Sequence, residues 1–160
     1  MWTSLFASLL MFAAPPAPKV FGPSQPQEIY RVLLDRDALL LESITDIIKQ
    51  KGINDGQVLI TAGSVQECTY HFVTSTAAKP KDEFKTVKGA FEILGAGGII
   101  ANGEPHIHIT LSAPDKGAFG GHLEKGCRIL YLGEVTLIKY TGPSLTRRPN
   151  ENGVSLLESK

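Results

Sequence analysis

The sequence predicts an α+β domain with about seven strands and one main helix. Glycine (16 residues) and proline (10 residues) are frequent in the 160-residue chain, and both residue types punctuate strands and turns. One stretch has apolar residues at helical spacing, whereas several others alternate or are rich in β-formers. The length suits one domain, and 42% hydrophobic with 20% charged residues is ordinary for a globular protein. This composition excludes disordered, collagen-like and multi-span membrane chains.

The first two elements are a strand at residues 28–34 and the helix at residues 38–51. Asp37 is a suitable N-cap and Gly52 stands where helices commonly stop. The apolar positions that define the inner face of the helix are Leu40, Ile44, Ile47 and Ile48.

The later strands are separated by turn signals. A break is expected at Gly63, a polar loop at residues 74–83, a glycine-rich turn at Gly97-Gly98 and a tight turn at residues 114–117, which read PDKG. From Thr141 the composition is polar, so we expect a poorly ordered tail. The strands are predicted at residues 58–62, 67–73, 84–87 and 90–95, within 99–110, and at 118–124 and 128–140.

Residues 5–14, LFASLLMFAA, form an apolar, uncharged run. Its length suits the central region of a signal peptide and is too short for a membrane span of about 20 residues. Export to the periplasm or the cell exterior is therefore favoured over a cytoplasmic location. Because no Lys or Arg precedes the run and no clear Ala-x-Ala site follows it, a loose tail or a start placed too early is the alternative.

These boundaries divide the chain into three parts. Residues 1–27 are a possible signal peptide and linker, because five prolines fall between residues 15 and 27. Residues 28–141 form the folded domain and residues 142–160 form the tail. The two cysteines, Cys68 and Cys127, are too far apart for a zinc knuckle and too few for a disulfide scaffold. One disulfide or two separate buried thiols are both consistent with this pattern.

Three of the four histidines flank the predicted PDKG turn. Side chains alternate between the two faces of a strand, so residues two apart share a face. The polar face of the strand before the turn carries Glu104, His106, His108 and Thr110, and the core face carries Pro105, Ile107, Ile109 and Leu111.

His106 and His108 can reach one ion, since residues two apart on a strand lie about 6.5–7 Å from each other. His122 is the natural third ligand, and nitrogen donors suit zinc best, with nickel or copper as alternatives. If Ala113 pairs with Ala118, however, His122 opposes a core position. The site therefore requires a bulge near Gly120-Gly121, or a loop that differs by one residue.

Less specific interpretations stay open for each of these residues. The two neighbouring histidines could lie on a solvent-exposed face without an ion. Glu104 could be a fourth ligand, could orient a ligand, or could be a solvated charge. His71 lies on a different predicted strand, and we interpret it as a packed or surface histidine.

The sequence assigns no reaction. Nucleophile-elbow, phosphate-loop, dinucleotide and zincin-helix motifs are missing from it. A zinc ion held by three histidines can activate water, so a zinc-dependent hydrolase or lyase is one alternative, with Glu92 and Glu104 as candidate bases. The 16 basic and 16 acidic residues cancel to a net charge of zero, which disfavours binding to nucleic acid through its phosphates.

Three segments together resemble the plants-and-prokaryotes-conserved (PPC) domain family. They are KGAFEILGAGG at residues 88–98, PHIHITLSAPDKGAFGGHLEKGC at residues 105–127, and the strand that ends VTLIKY. The resemblance extends over residues 28–140. It implies a largely antiparallel sheet of about seven strands with one helix against it, assembled as a homotrimer. It also implies the metal site of prokaryotic members, at the positions of His106, His108 and His122.

In plants the same domain accompanies AT-hook motifs in nuclear DNA-binding proteins, and prokaryotic members are often labelled DNA-binding by analogy. This sequence has no R-G-R-P AT-hook, and its one adjacent basic pair, Arg147-Arg148, lies in the predicted tail. The sequence therefore predicts a trimeric metal-binding protein, with DNA binding as the alternative. The partner it predicts is another copy of the same chain, and it predicts no membrane span.

Overall fold

The computed structural model describes residues 15–160, so the predicted signal peptide lies outside the described residues. Strand β1 begins within the proline-rich segment and includes Pro26. One helix follows it. Seven further strands complete the chain. The elements are β1 (Gln25–Asp35), α1 (Leu40–Gln50), β2 (Asp55–Val73), β3 (Asp82–Ala101), β4 (Glu104–Ala113), β5 (Gly117–Leu123), β6 (Arg128–Thr141), β7 (Leu145–Pro149) and β8 (Ser155–Ser159).

Six strands form one sheet in the order β1-β6-β2-β3-β4-β5, and β7 and β8 form a separate two-stranded sheet. All the strand pairs are antiparallel. The last strand of the order, β5, also pairs with the C-terminal part of β2. Strands β2 to β5 therefore form a closed set, in which β5 neighbours β2 although the two are distant in sequence.

Helix α1 packs on the sheet through one apolar stripe. Leu40, Ile44 and Ile48 are almost fully buried, as the helical spacing predicts. They join a single core with apolar residues from β2, β3, β4 and β6. The α+β class, the one main helix and the antiparallel sheet are thus confirmed, although the sheet has six strands rather than about seven.

The predicted N-cap at Asp37 is wrong. Helix α1 begins after Leu39, which provides no side-chain cap. The backbone N–H of Leu40 donates instead to the carbonyl oxygen of Cys127 at 2.8 Å, so the segment that precedes β6 satisfies this end of the helix. Asp37 has a positive φ of 69°, and its carboxylate accepts a hydrogen bond from Gln66 at 2.5 Å.

Two predicted strand breaks are also wrong, because β2 and β3 are each continuous. At Gly63 the pairing of β2 with β6 shifts register without ending the strand. The expected turn at Gly97-Gly98 lies inside β3, and the chain reverses later, between β3 and β4. A Cβ at Gly98 would overlap the backbone carbonyl of His106. This glycine therefore permits close strand approach rather than a turn.

The C-terminal segment is not a poorly ordered tail. Strands β7 and β8 pair antiparallel, with Arg147 opposite Leu157. Five residues of these two strands are half-buried: Leu145, Thr146, Arg147, Leu157 and Glu158. The hairpin could not be predicted from its polar sequence, since a short hairpin buries few apolar groups of its own.

Cys68 and Cys127 form a disulfide bond, which selects one of the two alternatives left open by the sequence. Both cysteines are completely buried in the core. The bond links β2 to the segment that precedes β6. Within residues 15–160, no helix is long and apolar enough to cross a membrane.

Candidate metal centre

Strand β4 presents two histidines on the face opposite the core. Ile107 and Ile109 are 1% and 2% exposed, which fixes the orientation of the strand. His106 and His108 therefore share the other face, and their ring centroids are 5.3 Å apart. The alternation predicted from the sequence is confirmed here.

The β4–β5 turn sets a strand register that places His122 on this face. Ala113 pairs with Gly117, one residue earlier than a four-residue loop would give, and His108 lies opposite His122. The β4–β5 register runs without a bulge. Of the two solutions that the sequence permits, the loop that differs by one residue is the one adopted.

His106, His108 and His122 form a three-donor group. One ring nitrogen from each lies within 4.8 Å of the other two. The ring of His122 stands edge-on to both of the others, with centroid distances of 4.6 Å to His106 and 5.6 Å to His108. Three imidazoles that converge from one hairpin resemble the ligand set of a zinc site that keeps one position open.

His71 also belongs to this cluster, although its sequence position gave no indication of it. The β2–β5 pairing sets His71 directly opposite His122, and the two rings stack with centroids 4.5 Å apart. The Nδ1 atom of His71 lies 2.7 Å from the carboxylate of Glu124. The second potential ligand group of the described chain is therefore His71, His122 and Glu124.

Close strand approach depends on a glycine next to His122. A Cβ at Gly121 would overlap the carbonyl oxygen of His71. Any larger residue would push β5 away from β2 and so separate His122 from His71. The glycine that precedes His122 is therefore needed for the packing of β5 against β2.

Burial and the charges of neighbouring groups favour the neutral form of two of these histidines, His106 and His122. Burial, followed by the nearby charges of His122 and Arg147, lowers the pKa of His106 to about 4 from the ordinary 6.5. Burial also lowers the pKa of His122, and the nearby His71 adds to this effect, whereas the charge of Glu124 opposes it. Neutral imidazole is the form that binds a metal, so the residues present fit a divalent ion.

Arg147 reaches the cluster from strand β7. Its guanidinium donates a hydrogen bond to the carbonyl oxygen of Ile99 at 3.4 Å, and Ile99 lies opposite His106 in the β3–β4 ladder. Its positive charge contributes to the lowered pKa of both His106 and His122. The sequence predicts a poorly ordered tail for the C-terminal segment, so no sequence pattern indicates that this side chain lies near the histidines.

The two acidic candidates from the sequence do not join either ligand group of the described residues. Glu104 is exposed and lies opposite Ala101 at the start of β4, and its charge acts on Arg147. Glu92 is exposed and lies opposite Ser112, near the other end of β4. Glu124, which the sequence analysis did not select, is the carboxylate closest to the histidines through its contact with His71.

Residues 22–141 match the sequence profile of the Plants and Prokaryotes Conserved (PCC) domain. The match includes all four histidines and ends before strand β7. It therefore includes the whole six-stranded sheet and omits the C-terminal hairpin.

Solved structures share this fold. A metal-containing protein from Archaeoglobus fulgidus has a TM-score of 0.76 at 24% identity, over 88% of this chain and 99% of its own. A plant- and prokaryote-conserved protein from Pyrococcus horikoshii has a TM-score of 0.75 at 23% identity, over 89% and 99% of the two chains. A protein from Bacteroides thetaiotaomicron, described as a candidate DNA-binding protein, has a TM-score of 0.73 at 23% identity, over 85% and 97%. Identities at this level establish the fold alone.

One curated relative is much longer than this chain. The bifunctional protein GlmU of Synechococcus sp. (strain JA-2-3B'a(2-13)) is 25% identical over 135 residues, which is 80% of this chain. The match spans only 20% of that protein.

Proposed function

Because the chain belongs to the Plants and Prokaryotes Conserved domain family, we propose that it is a metal-binding member of that family, with one divalent ion per subunit held by His106, His108 and His122. The observation that carries this proposal is the convergence of three ring nitrogens within 4.8 Å of one another. The metal-containing description of the Archaeoglobus fulgidus structure supports it.

Zinc is the ion that these donors suit best. Imidazole nitrogen is a borderline ligand that binds zinc at about 2.0–2.1 Å, and tetrahedral zinc accepts three histidines plus one exchangeable ligand. Nickel and copper also bind imidazole and are the competitors. The three donors lie on the β4–β5 hairpin, and their spacing supports a tetrahedral ion.

A zinc ion at this position would supply Lewis acidity to a ligand in its fourth position. The chain contributes the rest of the environment. His71 packs against the ring of His122 and is itself oriented by Glu124. These contacts fix the His122 ring in place, as partners around a ligating histidine commonly do. The residues in place support binding, and we assign no reaction.

Metal analysis of purified protein tests the proposal. We expect about one zinc per 17.3 kDa chain, and loss of that zinc in the His106→Ala/His108→Ala double variant. Thr110→Ala, on the same face of the same strand, is the matched control and should keep the metal. Stoichiometric metal in the double variant would refute the assignment.

We also propose that the chain assembles as a trimer. Several large apolar side chains are exposed in the single chain: Ile29 is 59% exposed, Leu33 is 61% exposed and Tyr131 is 69% exposed. Ile29 and Leu33 lie on β1, at one edge of the sheet, and Tyr131 lies on its neighbour β6. Exposed apolar surface of this kind favours a protein partner, and a second copy is the partner implied by the family.

Light scattering coupled to size exclusion would measure the assembly. We expect a mass of about three chains for the wild type and dissociation in Leu33→Glu. Lys79→Glu, in the exposed loop after β2, should leave the mass unchanged. A wild-type monomer at micromolar concentration would exclude the trimer.

Export of the protein is a further part of the proposal. It is supported by the apolar run at residues 5–14 and by the Cys68–Cys127 disulfide, since such bonds persist mainly in oxidising compartments. Sequencing the N-terminus of protein recovered from its own cell would test it. A mature chain that begins after the run supports export, and an intact run on protein from the cytoplasm contradicts it.

A further inference from the structure

Arg147 is placed beside the histidines by a segment outside the family match. The match ends at residue 141, and β7 carries Arg147 back over the β3–β4 ladder, where its guanidinium meets the carbonyl oxygen of Ile99. Ile99 is the direct partner of His106. This chain thus brings a positive charge close enough to the histidine cluster to act on His106 and His122.

Within the described part of the chain, Arg147 has no close counter-charge. Among residues 15–160, ion pairs within 4.0 Å do not include Arg147, and Glu104 acts on it only at longer range. The side chain is half-buried, and its burial lowers the pKa of the guanidinium. Of its five N–H donors, the described contacts use one.

A metal ion would increase the excess of positive charge. The three ligand histidines are neutral donors, so a bound divalent ion would bring its full charge close to Arg147. Three histidines also leave one ligand position for an exogenous group. A ligand that is anionic and has two oxygen atoms would satisfy both the ion and the planar guanidinium, which binds oxyanions in pairs of hydrogen bonds.

We propose that Arg147 and the metal together bind an oxyanion, a carboxylate or a phosphate, with one oxygen on the metal and another on the guanidinium. This inference rests on the proposed metal site and extends it, because it assigns a chemical class to the exogenous ligand. Arg147 acts in it as the residue that selects anionic ligands and orients them.

Cobalt-substituted protein provides a direct test. Cobalt(II) in a site of this kind absorbs visible light, and its spectrum changes when an anion enters the coordination sphere. The probes are inorganic phosphate in one titration and acetate in the other, so that the two sources of oxyanion are distinguished. Cobalt content is measured first for every variant.

Variants of Arg147 and of the adjacent Arg148 distinguish a specific role of Arg147 from the loss of any positive charge on this strand. The Arg147→Ala protein should still bind cobalt. Its affinity for whichever probe the wild type binds more tightly, phosphate or acetate, should be at least tenfold weaker. Arg147→Lys keeps a charge but not the paired hydrogen bonds, and should weaken binding by a smaller factor. Arg148→Ala removes the adjacent exposed arginine of the same strand and should change binding by less than twofold. If Arg147→Ala does not fold, the comparison of Arg147→Lys with Arg148→Ala decides.

Weaker binding of phosphate or acetate in the Arg147 variants alone supports the inference, and the probe affected identifies the oxyanion. Equal binding by wild type and the Arg147 variants, with cobalt present in both, overturns it and leaves the metal site intact. A wild-type protein that takes up no cobalt or zinc overturns the metal site and this inference together.

Discussion

His122 lies directly opposite His108 in the β4–β5 ladder, and the centroids of their rings are 5.6 Å apart. This one register position brings the β4 histidines and the β5 histidine of the candidate metal centre together. If the loop before it had one residue more, the side chain of His122 would lie opposite Ile109 and enter the core.

Replacing Gly121 by alanine should damage both the fold and the site. The added Cβ would overlap the carbonyl oxygen of His71, so β2 and β5 must separate. We expect the free energy of unfolding to fall by about 1–3 kcal/mol, measured by denaturant unfolding, and zinc affinity to fall with it. Gly95→Ala is the control, since a Cβ there meets no atom within 4 Å. Equal stability of the two variants would contradict this explanation.

The sequence predicted the inner and outer faces of β4 because strand alternation is a local property. Ile107 and Ile109 are apolar and buried, and that alone sets the direction of His106 and His108. The length of the following loop could not be predicted, since loops that differ by one residue suit the same turn signal. The structure resolves this ambiguity through the pairing of Ala113 with Gly117.

Other parts of the site depend on pairing between strands that are far apart in the chain. His71 joins the cluster because β5 returns to β2, and no local pattern encodes that contact. Arg147 arrives on a hairpin whose polar residues are typical of a tail. The turn predicted at Gly97-Gly98 is wrong for a related reason, because Gly98 lies inside β3 and permits the close approach of β4.

Replacing His71 by phenylalanine separates packing from ligation. Phenylalanine keeps an aromatic ring against His122, where the rings now stack at 4.5 Å, but it removes both nitrogens. If His106, His108 and His122 are the ligands, this variant should keep one zinc per chain with an affinity within about tenfold of wild type. Competition with a chelator of known affinity measures the change. Complete loss of zinc would mean that His71 is itself a ligand.

The stability of the metal-free protein should fall in mild acid. The pKa of His106 in the folded chain is about 4, against 6.5 for the unperturbed residue. Between these values the unfolded chain binds a proton that the folded chain does not, so the free energy of unfolding decreases as the pH falls from 6.5 to 4. Because the side chain is partly exposed, we expect about 1–2 kcal/mol from this residue.

Denaturant unfolding of metal-free protein at several pH values would measure that loss. His106→Gln is the matched control, because it keeps a polar side chain and removes the titrating group. The variant should lose less stability than wild type over the same pH interval. Parallel losses in the two proteins would show that His106 titrates at its ordinary pKa.

Anomalous diffraction tests most directly whether three histidines of one hairpin hold a zinc ion. Data from a crystal of the purified protein, collected on both sides of the zinc absorption edge, would locate the ion and identify it. We predict one peak per chain that lies about 2.0–2.1 Å from a ring nitrogen of each of His106, His108 and His122. A peak bound by His71 and Glu124 instead, or no zinc peak in protein purified without chelators, would contradict a zinc site at these three histidines.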